Sequence, residues 1–161
     1  MRKTLATIGL TVLALQAWGY YRDVFGPSHL PGRVPIHFDL AGHPNGWGSP
    51  SSFIFLPLLS LALFLFLTAI ARIPSMFNYP VKVTEANRDR LQSLTIDLLT
   101  WIRTEIVCIF ALAQWMASHL ARQPETATYS LVIFAPLGML LATVAWYIVA
   151  MLREGRMQLA S

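Results

Sequence analysis

The stretch SFIFLPLLSLALFLFLTAIA, residues 52–71, decides the fold because it forms a long apolar run without a single charge. A helix of about 20 apolar residues crosses the roughly 30 Å hydrocarbon core of a bilayer, since each residue adds about 1.5 Å. Similar uncharged segments cover about 4–21 and 127–152, and a less regular one covers about 99–121. The sequence therefore predicts an all-α integral membrane protein with four transmembrane helices in one domain, residues 1–161.

The composition supports this class and excludes others. Hydrophobic residues make up 55% of the chain and charged residues only 12%, whereas soluble domains are about 25% charged. The net charge of +4 is explained by lysine and arginine at the cytoplasmic ends of helices, so no nucleic-acid partner is predicted. Cys108 is the single cysteine and is expected to be a small buried side chain. Phosphate-loop, nucleophile-elbow and zinc-protease motifs are absent, which favours a non-enzymatic protein.

The distribution of basic residues predicts the orientation. Eight lysines and arginines would lie on one side of the membrane: Arg2, Lys3, Arg72, Lys82, Arg88, Arg90, Arg153 and Arg156. Three would lie on the other: Arg22, Arg33 and Arg122. The positive-inside rule then places both termini in the cytoplasm, in a multi-pass protein of the cytoplasmic membrane. The loop 22–50 would face outward, and the segment 72–98 would face inward.

The outer loop, 22–50, contains most of the residues that could carry a specific function. Val34, Ile36 and Phe38 alternate with polar residues, which indicates a short extended segment with one apolar face. The sequence His43-Pro44-Asn45-Gly46 is typical of a turn, and Trp47 suits the headgroup layer. This composition predicts an ordered loop folded over the bundle. Its candidate ligand-binding or structural residues are Pro35, His37, Asp39, Gly42, His43, Pro44 and Trp47.

A divalent metal site is an alternative use of the same loop. His119 would lie at the outer end of the third helix, on the same side as the loop histidines. Imidazole and carboxylate groups are good ligands for zinc, copper or nickel, so His37, Asp39, His43 and His119 are the candidate ligands. The competing interpretation is that His37 and His43 hydrogen-bond to the loop and hold its shape.

The third helix carries polar residues that are unusual within a membrane: Arg103, Glu105 and Gln114. Such groups are costly there and are functional candidates by default. An ion or proton path from Glu105 to His119 is one hypothesis. The simpler one is an ion pair of Glu105 with Arg103, or with an arginine at another cytoplasmic helix end, that fixes the depth of the helix. Gln114 is expected to hydrogen-bond a neighbouring helix. Upstream, within 72–98, Thr84 is predicted to cap an amphipathic helix with the apolar row Leu91, Leu94, Leu98 and Ile102.

One long motif resembles a known family. Leu30-Pro31-x-x-Val34-Pro35-x-His37-Phe38-x-x-x-Gly42-x-Pro44-x-Gly46-Trp47 follows the first apolar helix. It resembles the bacterial membrane domain of unknown function found at the N-terminus of SdpI-type immunity proteins. The segment from Asn78 to Arg88 and the helix from Trp101 to Trp115 are similar to stand-alone members. The resemblance implies a polytopic protein of the cytoplasmic membrane. The immunity protein of this family protects its producer against a secreted peptide toxin and sequesters a repressor, so the resemblance makes these roles candidates here. It transfers no catalytic residue.

Three functions follow as hypotheses. The first is a non-enzymatic immunity or sensing protein whose outer loop recognises a peptide toxin or an envelope component, with the inner loop reporting to a cytoplasmic regulator. The second is a metal-binding or transport protein that uses the outer histidines. The third is a membrane enzyme, for which the loop histidines and Asp39 are the only candidate residues. A further possibility is an accessory subunit of a membrane complex.

Overall fold

A computed structural model of the protein describes residues 1–27, 29–39, 43–123 and 130–157. It contains four long helices: α1 (Arg2–Phe25), α2 (Phe55–Ile70), α3 (Arg88–Arg122) and α4 (Ser130–Met157). Between α1 and α2 lie two strands, β1 (Val34–Phe38) and β2 (Pro44–Gly48), followed by a 3-10 turn, Pro50–Ile54, that continues into α2. A second 3-10 turn, Pro74–Met76, lies between α2 and α3.

The helices alternate in direction around α3, which packs against each of the other three. Arg2 at the start of α1 pairs with Asp97 near the start of α3, at 2.6 Å. Arg90 of α3 lies 3.3 Å from Glu154 at the end of α4. The end of the bundle that holds these ion pairs is called the Arg2 end below. The opposite end is covered by the segment 26–54, which is called the cap.

The prediction of an all-α fold is wrong in one place, because the cap contains an antiparallel hairpin. The extended segment at Val34–Phe38 is confirmed. The turn predicted at His43-Pro44-Asn45-Gly46 is wrong, because Pro44–Gly48 forms the partner strand despite its content of proline and glycine. The register shifts around His37, where the ladder is irregular. As a result Val34 is fully buried while Ile36 is half exposed. The three apolar side chains therefore do not share the single face that strict alternation predicts.

The helices extend beyond the apolar segments that predicted them. α1 continues through Arg22 and Asp23 to Phe25, and α4 ends at Met157 rather than near 152. The amphipathic segment and the third apolar segment form one helix of 35 residues, about 52 Å long. Charged residues interrupt an apolar run in the sequence, but the helix continues through them because their side chains form ion pairs at the ends of the bundle. The predicted start of the fourth helix at 127 lies outside the described residues.

Three apolar clusters hold the fold at successive levels. Leu30, Val34, Phe53 and Ala117 join the cap to α3. Leu13, Phe64 and Val107 join α1, α2 and α3 in the middle. Leu91, Leu94, Tyr147 and Met151 join α3 to α4 at the Arg2 end. The apolar row of the amphipathic segment thus packs on α4. In the first cluster, the described part of the segment between α1 and α2 packs against α3.

The start of α3 differs from the prediction. Asn87, not Thr84, occupies the N-cap position. Its buried carboxamide accepts a hydrogen bond from the backbone N–H of Thr84 at 2.8 Å and donates to the Lys82 carbonyl at 3.0 Å. These two bonds close the connecting loop on itself, so the helix begins three residues later than the Thr84 signal indicates.

Among the described residues, two helices are long and apolar enough to cross a membrane: Pro50–Ile70 and Phe134–Arg156. In the most apolar 18-residue stretch of each helix, only 17% and 11% of the residues are buried inside the protein. The core helix of a soluble protein would be mostly buried. α1 and α3 are long enough but not apolar enough, because threonine, glutamine and charged residues lower their mean hydropathy. Large exposed apolar surfaces of this kind indicate contact with a membrane or with another protein.

Candidate functional site at the cap

A buried carboxylate joins α1 to α3 directly below the cap. Asp23 is 1% exposed. Its Oδ1 accepts hydrogen bonds from Arg122 Nη2 at 2.8 Å and from Arg22 Nη2 at 2.7 Å. Its Oδ2 accepts one from the Ser118 hydroxyl at 2.6 Å. Arg122 Nη1 also donates to Ser118 Oγ at 2.6 Å, which closes the network.

The network keeps Asp23 charged. Burial alone raises the pKa of a carboxyl group, because it penalises the ionised form. Hydrogen bonds from Arg122, Ser118 and Arg22 outweigh that effect, so the pKa of Asp23 lies below its usual value. The Asp23 backbone carbonyl also accepts a hydrogen bond from the Leu30 N–H at 2.9 Å. Asp23 therefore holds α1 against α3 and also anchors the start of the cap at Leu30.

The hairpin lies on this base. Pro35 is buried and pairs with Trp47, which is 48% exposed. Gly46 lies against His37, and a Cβ added at Gly46 would lie 2.8 Å from the His37 Cβ. Only glycine permits that approach, which explains on steric grounds why the motif has glycine at position 46. Pro44 begins β2, and Gly42 lies outside the described residues.

The four candidate metal ligands are not brought together. The His43 backbone N–H donates to Asp39 Oδ1 at 2.8 Å, and His43 Nδ1 lies 3.6 Å from Asp39 Oδ2. His37 Nδ1 instead donates to Asn45 Oδ1 across the hairpin. His119 stacks on Trp115, with ring centroids 5.5 Å apart. Among the described residues no group of three histidine, cysteine or acidic side chains could hold a metal. Asp39 and His43 are in contact with each other, and the metal site stays a prediction.

A groove runs from the Asp23 network along α1 and α3. Its volume is about 300 Å³. Gln114 Nε2 donates to the Gln16 backbone carbonyl at 3.0 Å, so the predicted bond from Gln114 to a neighbouring helix is confirmed. Both polar atoms of the Gln16 side chain are buried without a hydrogen-bond partner in the part of the chain described. The groove is lined by Val12, Leu15, Gln16, Trp18, Gly19, Arg22, Asp23, Ala111, Gln114 and Trp115.

The ion pair expected between Glu105 and Arg103 does not form. Arg103 Nη1 donates to Thr68 Oγ1 of α2 at 2.6 Å, and its guanidinium lies 4.9 Å from the centre of the Phe64 ring. Glu105 Oε1 accepts a hydrogen bond from Thr143 of α4 at 2.7 Å. Residues two apart in a helix face different neighbours, and here each finds its partner on a different helix.

The side of α3 that runs from Glu105 towards His119 is not buried evenly along its length. Glu105 is buried, whereas Cys108 is exposed and Trp115, seven residues further on, is 52% exposed. Residues seven apart share one stripe of a helix, and this stripe is not covered by the neighbouring helices. The expectation that Cys108 is buried is therefore wrong. The structure gives no continuous line of titratable groups from Glu105 to His119.

Asp23 is the site residue that the sequence reasoning missed. It lies beyond the apolar segment of α1, in the part of the sequence that is predicted to form the loop 22–50. The available signal was an adjacent arginine and aspartate at a helix end, facing Arg122 at the outer end of another helix. Opposite charges that topology brings to one end of a bundle are candidates for a buried pair.

Comparison with known proteins gives one family match. Residues 24–61 match the Domain of unknown function (DUF1648). The match covers the cap and the first turns of α2, and it begins one residue after Asp23. No curated protein matches the chain, and no solved structure matches it. The description of the family assigns no activity.

Proposed function

We propose that the protein is a four-span, non-enzymatic protein of the bacterial cytoplasmic membrane, with both termini in the cytoplasm and a cap that recognises an extracytoplasmic peptide or envelope component. α3 packs against both apolar helices, and α1 packs against α3 and α2, so α1 and α3 would cross the same bilayer. Eight basic residues lie in the Arg2-end segments and only three near the cap, which favours a cytoplasmic Arg2 end. The roles in immunity or sensing come from the motif resemblance.

The observation that carries the recognition proposal is a fixed cap with exposed apolar side chains. The Asp23 network and the cluster around Val34 hold the hairpin on the helix ends. Ile36 is nevertheless 50% exposed and Trp47 is 48% exposed. Preorganised surfaces bind with less loss of conformational entropy, and aromatic side chains are common anchors in such surfaces. This arrangement suits an amphiphilic ligand at the membrane surface.

The orientation is tested with single cysteines in a Cys108→Ser background. His29→Cys places a thiol in the cap, and Ser75→Cys places one between α2 and α3; both positions are exposed. A membrane-impermeant maleimide should label position 29 in intact cells, and position 75 only after permeabilisation. Labelling in the reverse order would place the cap in the cytoplasm and refute the orientation.

Recognition is tested in a strain that lacks the protein, challenged with the peptide fraction of its own species' culture medium. The wild-type chain should restore growth, whereas the double variant Ile36→Ser/Trp47→Ser should tolerate about tenfold less peptide, the effect expected from losing an aromatic anchor. Leu59→Ala is the control, since Leu59 is similarly exposed but lies on the apolar surface of α2. Equal protection by the double variant at equal membrane abundance would rule out recognition by the hairpin.

A further inference from the structure

We propose that the groove between α3 and α4 binds a lipophilic organic cation, with Glu105 as its counter-ion and Trp101, Trp146 and Tyr147 as aromatic walls. This site lies within the helices and does not depend on recognition by the cap. The groove has a volume of about 450 Å³, which is in the range of small-molecule sites. It is lined by Trp101, Glu105, Met139, Ala142, Thr143, Trp146 and Tyr147.

Glu105 supplies an acceptor without a partner. The residue is 6% exposed, and its Oε2 atom is buried without a hydrogen bond in the part of the chain described. The nearest basic residue in sequence, Arg103, is directed to Thr68 and Phe64. A buried carboxylate without a cation is strongly disfavoured. A bound cation would balance it.

The walls of the groove select the kind of cation. Aromatic faces attract cations through the ring quadrupole, and Trp is the best of them. Trp101 packs against the apolar cluster that contains Tyr147, which holds two of the walls together. Met139 and Ala142 complete a mainly apolar lining. One carboxylate in such surroundings does not offer the oxygen ligands that hard metal ions require, so a large organic cation fits better.

The position of the groove indicates how the cation reaches it. Thr143, which donates to Glu105, lies near the middle of the candidate span Phe134–Arg156. Trp146, on the same side of the groove, is 70% exposed on the outer surface of α4. A cation dissolved in the bilayer would therefore meet Trp146 first and then the carboxylate. The required ligand is a monovalent quaternary ammonium or phosphonium ion with apolar substituents.

The test uses two probes of nearly equal shape and opposite charge on the full-length protein in detergent. Tetraphenylphosphonium should bind saturably by calorimetry, and tetraphenylborate should not. Glu105→Gln should weaken tetraphenylphosphonium binding by about tenfold or more, the factor expected for loss of a buried charge partner. Glu154→Gln, which removes an acidic group at the Arg2 end, should leave binding unchanged.

A second variant keeps the proposal falsifiable if Glu105→Gln does not fold. Trp146 is largely exposed, so Trp146→Ala should fold normally and bind tetraphenylphosphonium several-fold more weakly. Trp18→Ala is its control, because Trp18 is 62% exposed on α1. Equal binding of the two probes, or unchanged binding in Trp146→Ala, would overturn the proposal.

Discussion

Replacing Asp23 with alanine is expected to lower the free energy of unfolding by about 3–5 kcal/mol, the range seen when one partner of a buried ion pair is removed. The carboxylate receives hydrogen bonds from two guanidinium groups and a hydroxyl. Without it, Arg22 and Arg122 would repel each other beside an apolar groove. The measurement is thermal unfolding of the purified protein in detergent, followed by tryptophan fluorescence.

The matched control is Asp39→Ala in the same region. The Asp39 side chain is 43% exposed, and exposed ion pairs contribute about 0–1 kcal/mol. Arg122→Gln should fall between the two variants, because Arg22 would still neutralise Asp23. Equal stability of the Asp23 and Asp39 variants would mean that the buried network does not hold the cap.

The same network gives a pH dependence with a definite sign. The pKa of Asp23 is lower in the folded protein than its ordinary value, so the folded state binds this proton less readily than the unfolded state does. Its contribution to stability is complete above the unfolded pKa of about 3.9 and is lost as the pH falls through the folded pKa. Unfolding midpoints measured from pH 7 downward should therefore fall less steeply in Asp23→Ala than in the wild type.

The sequence predicted well what hydropathy determines, which is the approximate extent of the helical segments. It also predicted that Gln114 bonds a neighbouring helix, without naming the partner. It failed where a partner on another element decides the outcome. Asp23 is buried because Ser118 and Arg122 come from the far end of α3. Arg103 and Glu105 separate because Thr68 and Thr143 lie on opposite neighbours. Spacing along one helix gives the direction of a side chain but does not identify what it meets.

The sequence did not predict the second strand of the hairpin, and the reason is different. Its first strand carries the alternation of Val34, Ile36 and Phe38, but its second strand consists of Pro44-Asn-Gly-Trp-Gly48, a composition typical of turns. Packing overrides that preference. Val34 is buried against Leu30, Phe53 and Ala117, and Gly46 allows the strands to approach at His37. β-propensity mainly reflects how well side chains pack against their neighbours, and here the neighbours are at the end of the helix bundle.

The second large effect is expected from Gly9→Leu, which should destabilise the bundle by about 3 kcal/mol, the upper part of the usual range for overpacking. A Cβ added at Gly9 would lie 2.7 Å from the Phe64 ring. The ring is 5% exposed and is held between Leu13 and Val107 on one side and the Arg103 guanidinium on another. It therefore cannot turn away without breaking the central cluster.

Gly138→Leu is the matched control, because a Cβ added at Gly138 meets nothing within 4 Å. Leucine there should stabilise α4 by about 0.5–1 kcal/mol through helix propensity alone. Adding Phe64→Ala to Gly9→Leu should recover part of the lost stability, since the two side chains compete for one volume. If both glycine variants shift the unfolding midpoint equally, α1 and α2 are not in contact at Gly9.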